Sequence, residues 1–370
     1  MNDRKVLVLG HGQLGLMMAA EAAKLGAEMD RLDLVTGERL CGTSPRRDPL
    51  DEDTLFSHYN VITAELEHLP DTDLIRRIKA TPQWMNHPAF ELLVDRATQK
   101  SLIDELALAT APWRKLNHNQ DLDTALNELG GKLVVKTTRG GYDGRGQWRI
   151  DPGNRNELPG EAFGSLIAES LVDFRREVSV IGARAADGSS YFLPLAENIH
   201  KTGILRYSIV RGEDSPALLE QGRTMLSRMM QRLDYVGVLA MECFETEEGL
   251  SINELAPRVH NSGHWSQLGA INNQFALHNR ALLGLPLPTK ETHRPTIMLN
   301  LIGCPFVQAW LGVEGIQVHW YGKELRQGRK MGHINIDASD KTRLNAAVKS
   351  LSGLLDDTHG ELLNEALNQY

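Results

Sequence analysis

Glu242 and Glu254 lie in two mostly apolar runs, 238–244 and 250–255, on either side of the turn Glu247-Glu248-Gly249. In an antiparallel hairpin centred on residue 248 they face each other, their Cβ atoms roughly 5 Å apart. Two carboxylates so placed repel unless a proton or a cation is shared between them. The apolar neighbours make solvation a poor remedy. A hard divalent ion such as Mg²⁺ fits, taking carboxylate oxygens from the protein and phosphate oxygens from a substrate. Asn253 adds an amide oxygen beside them. The competing reading is a solvated strand end carrying two surface glutamates.

A second constellation runs from Lys136 through Arg139-Gly140-Gly141-Tyr142-Asp143-Gly144-Arg145-Gly146 to Gln147. Its four glycines within seven positions let a loop fold its amides over phosphate oxygens, and the cations offset the charge. The order G-x-x-x-x-G-K-[ST] of a Walker A loop is absent. A plain glycine-rich hairpin tip is the alternative, but it leaves the strand-end lysine unexplained. Beyond Glu254, the segment Ala256 to Trp265 packs Arg258, His260, Asn261 and His264 into irregular backbone. These are hydrogen-bond donors for an anionic or polar substrate beside the expected metal. No cysteine or carboxylate completes a zinc set at ligand spacing. Lys323, Arg326, Arg329 and Lys330, with Glu324 as the one counter-charge among them, suit a phosphomonoester. A solvated basic hairpin is nearly as good a reading.

The N-terminus carries Gly10-x-Gly12-x-x-Gly15 after the apolar run Val6 to Leu9, with Asp33 further on. This matches the dinucleotide fingerprint, although its physical content is narrower: glycines admit an anion to a helix N-terminus. NAD, another phosphate ligand and a bare packing turn all stay open, and Gln13 is placed to touch a ligand at the turn.

The elements that must position these residues alternate between strand and helix. Strands are expected at 6–9, 61–65, 133–136, 166–169, 177–181, 297–302 and 318–321. Helices are expected from residue 14 to a C-cap at Gly26, over 89–106 and over 217–233, with a last one starting near Ser339-Asp340. The second of these carries Arg96 and Lys100 at i,i+4, so both cations leave one face. Met225, Met229 and Met230 on the third read as core. Residues 27–60 are polar and turn-rich, with no clear register.

The 370 residues exceed one ordinary domain. Prolines at 112 and at 286 and 288 divide the chain into three units: 1–98, 99–288 with a lid subdomain over about 110–172, and 289–370. With 48 acidic against 40 basic residues the net charge is −8, which argues against nucleic acid or an anionic membrane as partner. Cys41, Cys243 and Cys304 are far apart, so no disulfide framework or structural zinc is expected. The opening apolar run is too short for a signal peptide, and no segment reaches the length of a membrane span, so a cytoplasmic protein is expected.

Lys136, the Gly141–Gln147 loop, Glu242 and Glu254 stand in the order of the ATP-grasp superfamily. Gly12-Gln13-Leu14-Gly15, Asp95-Arg96-x-x-Gln99-Lys100, Arg175-Arg176-Glu177-Val178-Ser179, Asn253 to Trp265 and Gly328 to His333 resemble the N5-carboxyaminoimidazole ribonucleotide synthetases of purine biosynthesis, over residues 5 to 340. His11 stands where that family commonly has glycine, Thr137-Thr138 replaces a more basic pair, and residues 27–60 carry no site over. The resemblance implies an α/β (α+β) ATP-grasp fold with an N-terminal Rossmann-like domain and a small C-terminal β-rich domain. It also implies a ligase that carboxylates aminoimidazole ribonucleotide with bicarbonate and ATP, through carboxyphosphate. Lys136 and Gly141 to Gln147 would hold the ATP phosphates, Glu169, Ser170, Leu171 and Val172 the adenine, and Glu177 the ribose. Arg96, His200, Asn253 and Glu254 would be further ATP contacts, with Glu242, Glu254 and Asn253 on Mg²⁺. Tyr142, Asp143, Arg145 and Arg258 would be catalytic, with Asp143 or the released phosphate as the base. His260, Asn261, Gln13, Leu14, Lys323, Arg329 and Lys330 would hold the ribonucleotide, in a homodimer.

Overall fold

A computed structural model describes residues 4–141, 144–154 and 158–370, the side chains of 52–54 excepted. Tyr142 and Asp143 lie outside the described residues. Three sheets follow one another along the chain.

The first contains β1 (Lys5–Leu9), β2 (Glu28–Leu32), β3 (Glu38–Leu40), β4 (Arg47–Pro49) and β5 (Val61–Ala64), in the order β4-β3-β2-β1-β5. β1 runs parallel to β2 and β5, and α1 (Gln13–Lys24) returns over it, burying Leu14, Met17 and Met18. Gly26 follows with φ +65°, the left-handed conformation that ends a helix. β2 carries no apolar alternation because two of its buried side chains are charged. Asp30 accepts from the Tyr59 hydroxyl at 2.7 Å and from Gly42 N at 3.0 Å, while Arg31 donates to the carbonyls of Gly42 and Ser44 at 3.0 Å each. Residues 27–60 therefore contain three strands and α2 (Glu52–His58), all missed by a search for hydrophobic period. α3 (Asp73–Lys79) follows β5.

The helix expected over 89–106 is two helices, α4 (His87–Leu93) and α5 (Arg96–Glu105). Asp95, in extended backbone between them, accepts from Ala97 N and Thr98 N at 3.0 and 3.2 Å and caps α5. Arg96 and Lys100 thus begin a fresh helix whose N-terminus points at the glycine loop.

The second sheet, order β6-β9-β7-β8, comprises β6 (Trp113–Leu116), β7 (Leu133–Thr137), β8 (Gln147–Ile150) and β9 (Leu166–Ser170). With α6 (Asn119–Glu128) it encloses a small core of its own around Leu116, Leu122, Val135 and Ala168.

The third sheet has nine strands: β10 (Arg176–Arg184), β11 (Ser190–Phe192), β12 (Ala196–Lys201), β13 (Ile204–Val210), β14 (Gly237–Thr246), β15 (Gly249–Ala256), β16 (Thr296–Ile302), β17 (Ile316–Trp320) and β18 (Lys330–Asp337). Its order is β15-β14-β10-β12-β13-β16-β18-β17, with β11 beside β10. α7 (Pro216–Arg232) buries Met225, Met229 and Met230 against it. The short α8 (Ser266–Gly269), α9 (Gln274–Leu282), α10 (Lys341–Ser352) and α11 (Asp357–Gln369) complete the chain. The prolines at 286 and 288 mark no gap in this sheet, because β13 pairs directly with β16, Tyr207 opposite Leu299. Among the described residues no helix is long and apolar enough to cross a membrane.

Candidate active site

The hairpin β14–β15 places Glu242 opposite Glu254, as the sequence arithmetic expects, but by a different route. Its turn is the two-residue Glu247-Glu248, with Thr246 opposite Gly249 and Cys243 opposite Ile252. That register would set Glu242 against Asn253. A β-bulge at Asn253 inserts one residue and moves the pairing to Glu254. The bulge also frees Asn253, whose Oδ1 accepts from Lys136 Nζ at 2.9 Å across 117 residues of chain.

Lys136 comes from the end of β7 and is buried there. Its ammonium lies 2.7 Å from Glu169 Oε2, at the end of β9, and Lys100 of α5 meets the other oxygen at 3.0 Å. Burial pushes the Glu169 carboxyl up, but the two lysines outweigh it and hold it below the ordinary carboxylate range. Glu169 is therefore committed to two cations. Ser170, Leu171 and Val172 continue from it as the connection to β10, and beyond them Phe174 stacks on Phe244 at 4.6 Å between ring centres.

Arg96 ties the glycine loop down. Its backbone N donates to Thr138 O at 2.8 Å, and its guanidinium donates to Thr137 O at 3.0 Å and Gly141 O at 2.8 Å. The same guanidinium approaches Glu254 at 3.4 Å. Gly140 N donates to His68 Nε2 at 3.0 Å, so the connection between β5 and α3 also holds the loop. Gly144, at φ +77°, passes so near the β12–β13 turn that a Cβ there would lie 3.1 Å from Gly203 Cα. The loop is the tip of the β7–β8 hairpin, with Lys136 opposite Gln147, and the cations crowd at its base.

Glu177 and His200 pair at 2.6 Å on β10 and β12. Burial lowers the His200 pKa, but the Glu177 hydrogen bond and the carboxylates of Glu242 and Glu254 overcome it and raise the pKa. Glu242 is pushed well above the usual carboxylate range, first by burial, then by the negative charges of Glu254 and Glu177 against the relief of His200. Its Oε1 has no hydrogen-bond partner among the described residues; His260 Nδ1 stands 3.8 Å away, but burial holds that imidazole well below its ordinary pKa, so it supplies no positive charge. A buried carboxylate oxygen left unpaired beside a second carboxylate is what a divalent cation would satisfy.

On the other side of the hairpin the segment after Ala256 divides. Arg258 forms an ion pair with Glu67 at 2.6 Å. His260 bonds Ser262 Oγ at 2.9 Å, and Asn261 keeps both polar side-chain atoms buried without partners among the described residues. His264 does not join them. It is fully buried and stacks on His333 at 4.7 Å, which in turn stacks on His319 at 4.4 Å. His264 is thus core between this segment and the C-terminal strands, contrary to its reading as a substrate donor.

The first glycine motif is already filled. The Glu65 carboxylate, just past β5, accepts from Gly12 N, and from Gly15 N at 2.6 Å. A Cβ on Gly12 would lie 2.8 Å from Glu65 Oε1. Asp33, the expected ribose acid of a dinucleotide site, is bonded instead to Arg47 at 2.5 Å and to Val35 N at 2.9 Å. The motif is an anion site for the protein's own carboxylate, and the nicotinamide reading loses its place for a pyrophosphate. Gln13 projects from this turn, and its Oε1 accepts from Lys323 Nζ. Leu14 is in the core, so its contact with a ligand is left to its backbone. Burial, then the charges of Arg329 and Lys330, lower the Lys323 pKa to about 8. Sequence reading missed Glu65, Glu67, His68 and a role for Lys100. The signal for two of them was present, in a strand ending on a carboxylate and in a lysine one turn beyond Arg96.

Residues 101–275 match the ATP-grasp domain and residues 296–347 the phosphoribosylaminoimidazole carboxylase C-terminal domain. The strand lysine, glycine loop and paired carboxylates accordingly define a ligase of ATP-grasp fold. The N5-carboxyaminoimidazole ribonucleotide synthase of Escherichia coli K12 is 44% identical over 95% of this chain and 95% of its own. That of Haemophilus influenzae is 43% identical over 98% of this chain and 97% of its own. The chain belongs to the N5-carboxyaminoimidazole ribonucleotide synthase family. Two solved structures agree. The Thermus thermophilus N5-carboxyaminoimidazole ribonucleotide synthetase superposes with a TM-score of 0.83 at 36% identity, covering 95% of this chain and 99% of the other. The Aspergillus clavatus N5-carboxyaminoimidazole synthase, solved with ADP and 5-aminoimidazole ribonucleotide, gives 0.80 at 26% identity over 100% of both chains.

Proposed function

We propose that this enzyme carboxylates the exocyclic amine of 5-aminoimidazole ribonucleotide with bicarbonate, giving N5-carboxyaminoimidazole ribonucleotide, ADP and phosphate. Bicarbonate takes the γ-phosphoryl group of ATP to form carboxyphosphate. The amine then attacks the carboxyl carbon as phosphate leaves. The observation that carries this reading is the meeting of Lys136 with Asn253, beside the facing pair Glu242 and Glu254.

Lys136 and the amides of Gly141, Gly144, Gly146 and Gln147 hold the α- and β-phosphates, with Tyr142, Asp143 and Arg145 in the same loop. The backbone of Glu169 to Val172 meets the adenine, the Glu169 carboxylate being committed to Lys136 and Lys100; Glu177 meets the ribose, and Arg96 and His200 add contacts. Glu242, Glu254 and Asn253 fit Mg²⁺, since Glu242 Oε1 is buried without a hydrogen-bond partner among the described residues. When bound, Mg²⁺ offsets charge on the phosphoryl group in flight. Gln13 and Lys323, already in contact, hold the ribotide with Arg329 and Lys330. Asn261, with its unpaired amide, and His260, Arg258 and Arg145 face carboxyphosphate and the imidazole. Arg96 and His68 hold the loop down, which supports exclusion of water from an intermediate that hydrolyses readily. Asp143 is the proposed base for the amine proton. We include a homodimer in a reducing cytoplasm in this proposal.

The test is ATP hydrolysis measured with and without aminoimidazole ribonucleotide and bicarbonate. Turnover is expected to require the ribonucleotide. Hydrolysis that ignores it would refute the assignment even if ATP binds. Light scattering in solution tests the dimer.

A further inference from the structure

Lys100 is among the largest fully buried side chains of the molecule, yet no step above uses it. It reaches out of α5 to the carboxylate of Glu169, 3.0 Å away, and donates to Thr110 Oγ1 at 2.6 Å, which donates on to Ile252 O at 2.6 Å. Glu169 is simultaneously 2.7 Å from Lys136. The side chains of Lys100, Glu169 and Lys136 are 2%, 5% and 9% exposed, so the three charges share one dry site. Asp104, the other acid near Lys100, sits on the exposed face of α5 and accepts from Trp113 Nε1 at 2.8 Å. The buried triad therefore carries two positive charges against one negative.

We infer that Lys100 is a positioning residue for ATP: it occupies the charge of Glu169 so that the positive charge of Lys136 stays available to the nucleotide phosphates. Without Lys100, Glu169 and Lys136 close into a neutral buried pair, and a phosphate approaching Lys136 has to compete with a carboxylate 2.7 Å away. With Lys100 present, the site holds a net cation that burial makes costly until an anion arrives. The arrangement also explains why a loop built for phosphate tolerates an acid beside its principal cation. Because Lys100 stands on α5 while Glu169 and Lys136 end strands of the second sheet, the same contact fixes the ends of β7 and β9 against the body of the enzyme.

The inference rests on the reading of Lys136 as a phosphate ligand, and the experiment separates the two. ADP affinity is measured by calorimetry on Lys136→Met, Lys100→Met, Lys100→Gln and Lys100→Met/Glu169→Gln, with KM for aminoimidazole ribonucleotide and the thermal midpoint recorded for each. Lys136→Met is expected to weaken ADP strongly; unchanged affinity there refutes the phosphate reading itself. Lys100→Met is expected to weaken ADP by about tenfold while the ribonucleotide KM moves less than about twofold. Lys100→Gln, which keeps a donor for Thr110, is expected to do the same, because charge and not the hydrogen bond is at issue. Removing the Glu169 charge as well is expected to restore most of the affinity. If Lys136→Met weakens ADP but neither Lys100 variant does, or if the double variant binds no better than Lys100→Met, the inference fails. An equal rise in the ribonucleotide KM would also overturn it, since a general loss of structure predicts that.

Discussion

The molecule has two glycine-rich turns, each following a strand, and they end in opposite states. At Gly10–Gly15 the backbone amides are taken by Glu65, and the strand-end acid Asp33 is neutralised by Arg47. At Lys136–Gln147 the base of the loop joins a buried cluster with one cation in surplus, and among the described residues a carboxylate oxygen of Glu242 has no hydrogen-bond partner. Glycine spacing reports only that backbone approaches an anion. Whether the anion belongs to the protein or arrives as substrate depends on what the rest of the chain delivers to the turn. The first turn serves structure and the placing of Gln13, and the second, as we propose, serves ATP.

The largest effect is expected at the facing carboxylates of β14 and β15. Glu254→Gln should lower turnover by about a thousandfold with the circular dichroism spectrum unchanged, because the metal pair loses a charge. A rate near that of the parent would remove the metal role. The complementary change at the first turn, Glu65→Ala, strands two backbone N–H groups and should cost about 1–3 kcal/mol in urea unfolding. ADP affinity should stay put. A loss of ADP affinity without loss of stability would mean that the two turns are not divided as described.

Smaller effects sharpen the picture. Lys330→Met should raise the ribonucleotide KM by about tenfold and leave the ATP KM within about twofold. An equal rise in both would place Lys330 elsewhere. The histidine stack behind the ribotide side predicts a pH dependence. Burial holds His264 and His333 well below the ordinary value and His319 at about 4. Unfolded histidine titrates near 6.5, so below about pH 6.5 the unfolded chain binds more protons than the folded one. Stability is then full above that pH and declines as pH falls towards 4. Urea midpoints at pH 7.5 and 5.5 check the sign, and His319→Asn should flatten the slope. The smallest expected effect is none at all: NADH fluorescence should not respond to the enzyme, since Glu65 holds the pyrophosphate's place.

Much of this site is legible because its parts are local. The apolar runs of β14 and β15 and their short turn identify the hairpin, and β7 with its glycine loop identifies the lid. The pairing of Glu242 with Glu254 came out right from a centre at 248, although the true turn is centred half a residue earlier and the bulge at Asn253 makes up the difference. Alternation does not encode a bulge, so the hydrophobic pattern carries no trace of that reason. The split between α4 and α5 was signalled by Asp95, a good capping residue, but a helical period carried across it. β2 escaped because buried Asp30 and Arg31 are satisfied by groups 11 to 29 residues away, which erases the hydrophobic pattern.

Residue types and near spacing, then, determined which chemistries this chain can perform: a cation-rich glycine loop, a facing pair of acids, a cluster of donors and a basic hairpin. The tertiary structure alone decided which of them are open to a substrate. Glu65 fills the first turn from 50 residues beyond Gly15, Lys323 reaches Gln13 across 310 residues, and Lys100 shares an acid with Lys136. Such contacts depend on how strands are ordered and which side chains are buried together. Burial turns a weak charge preference into a strong one, and it is a property of the assembled fold.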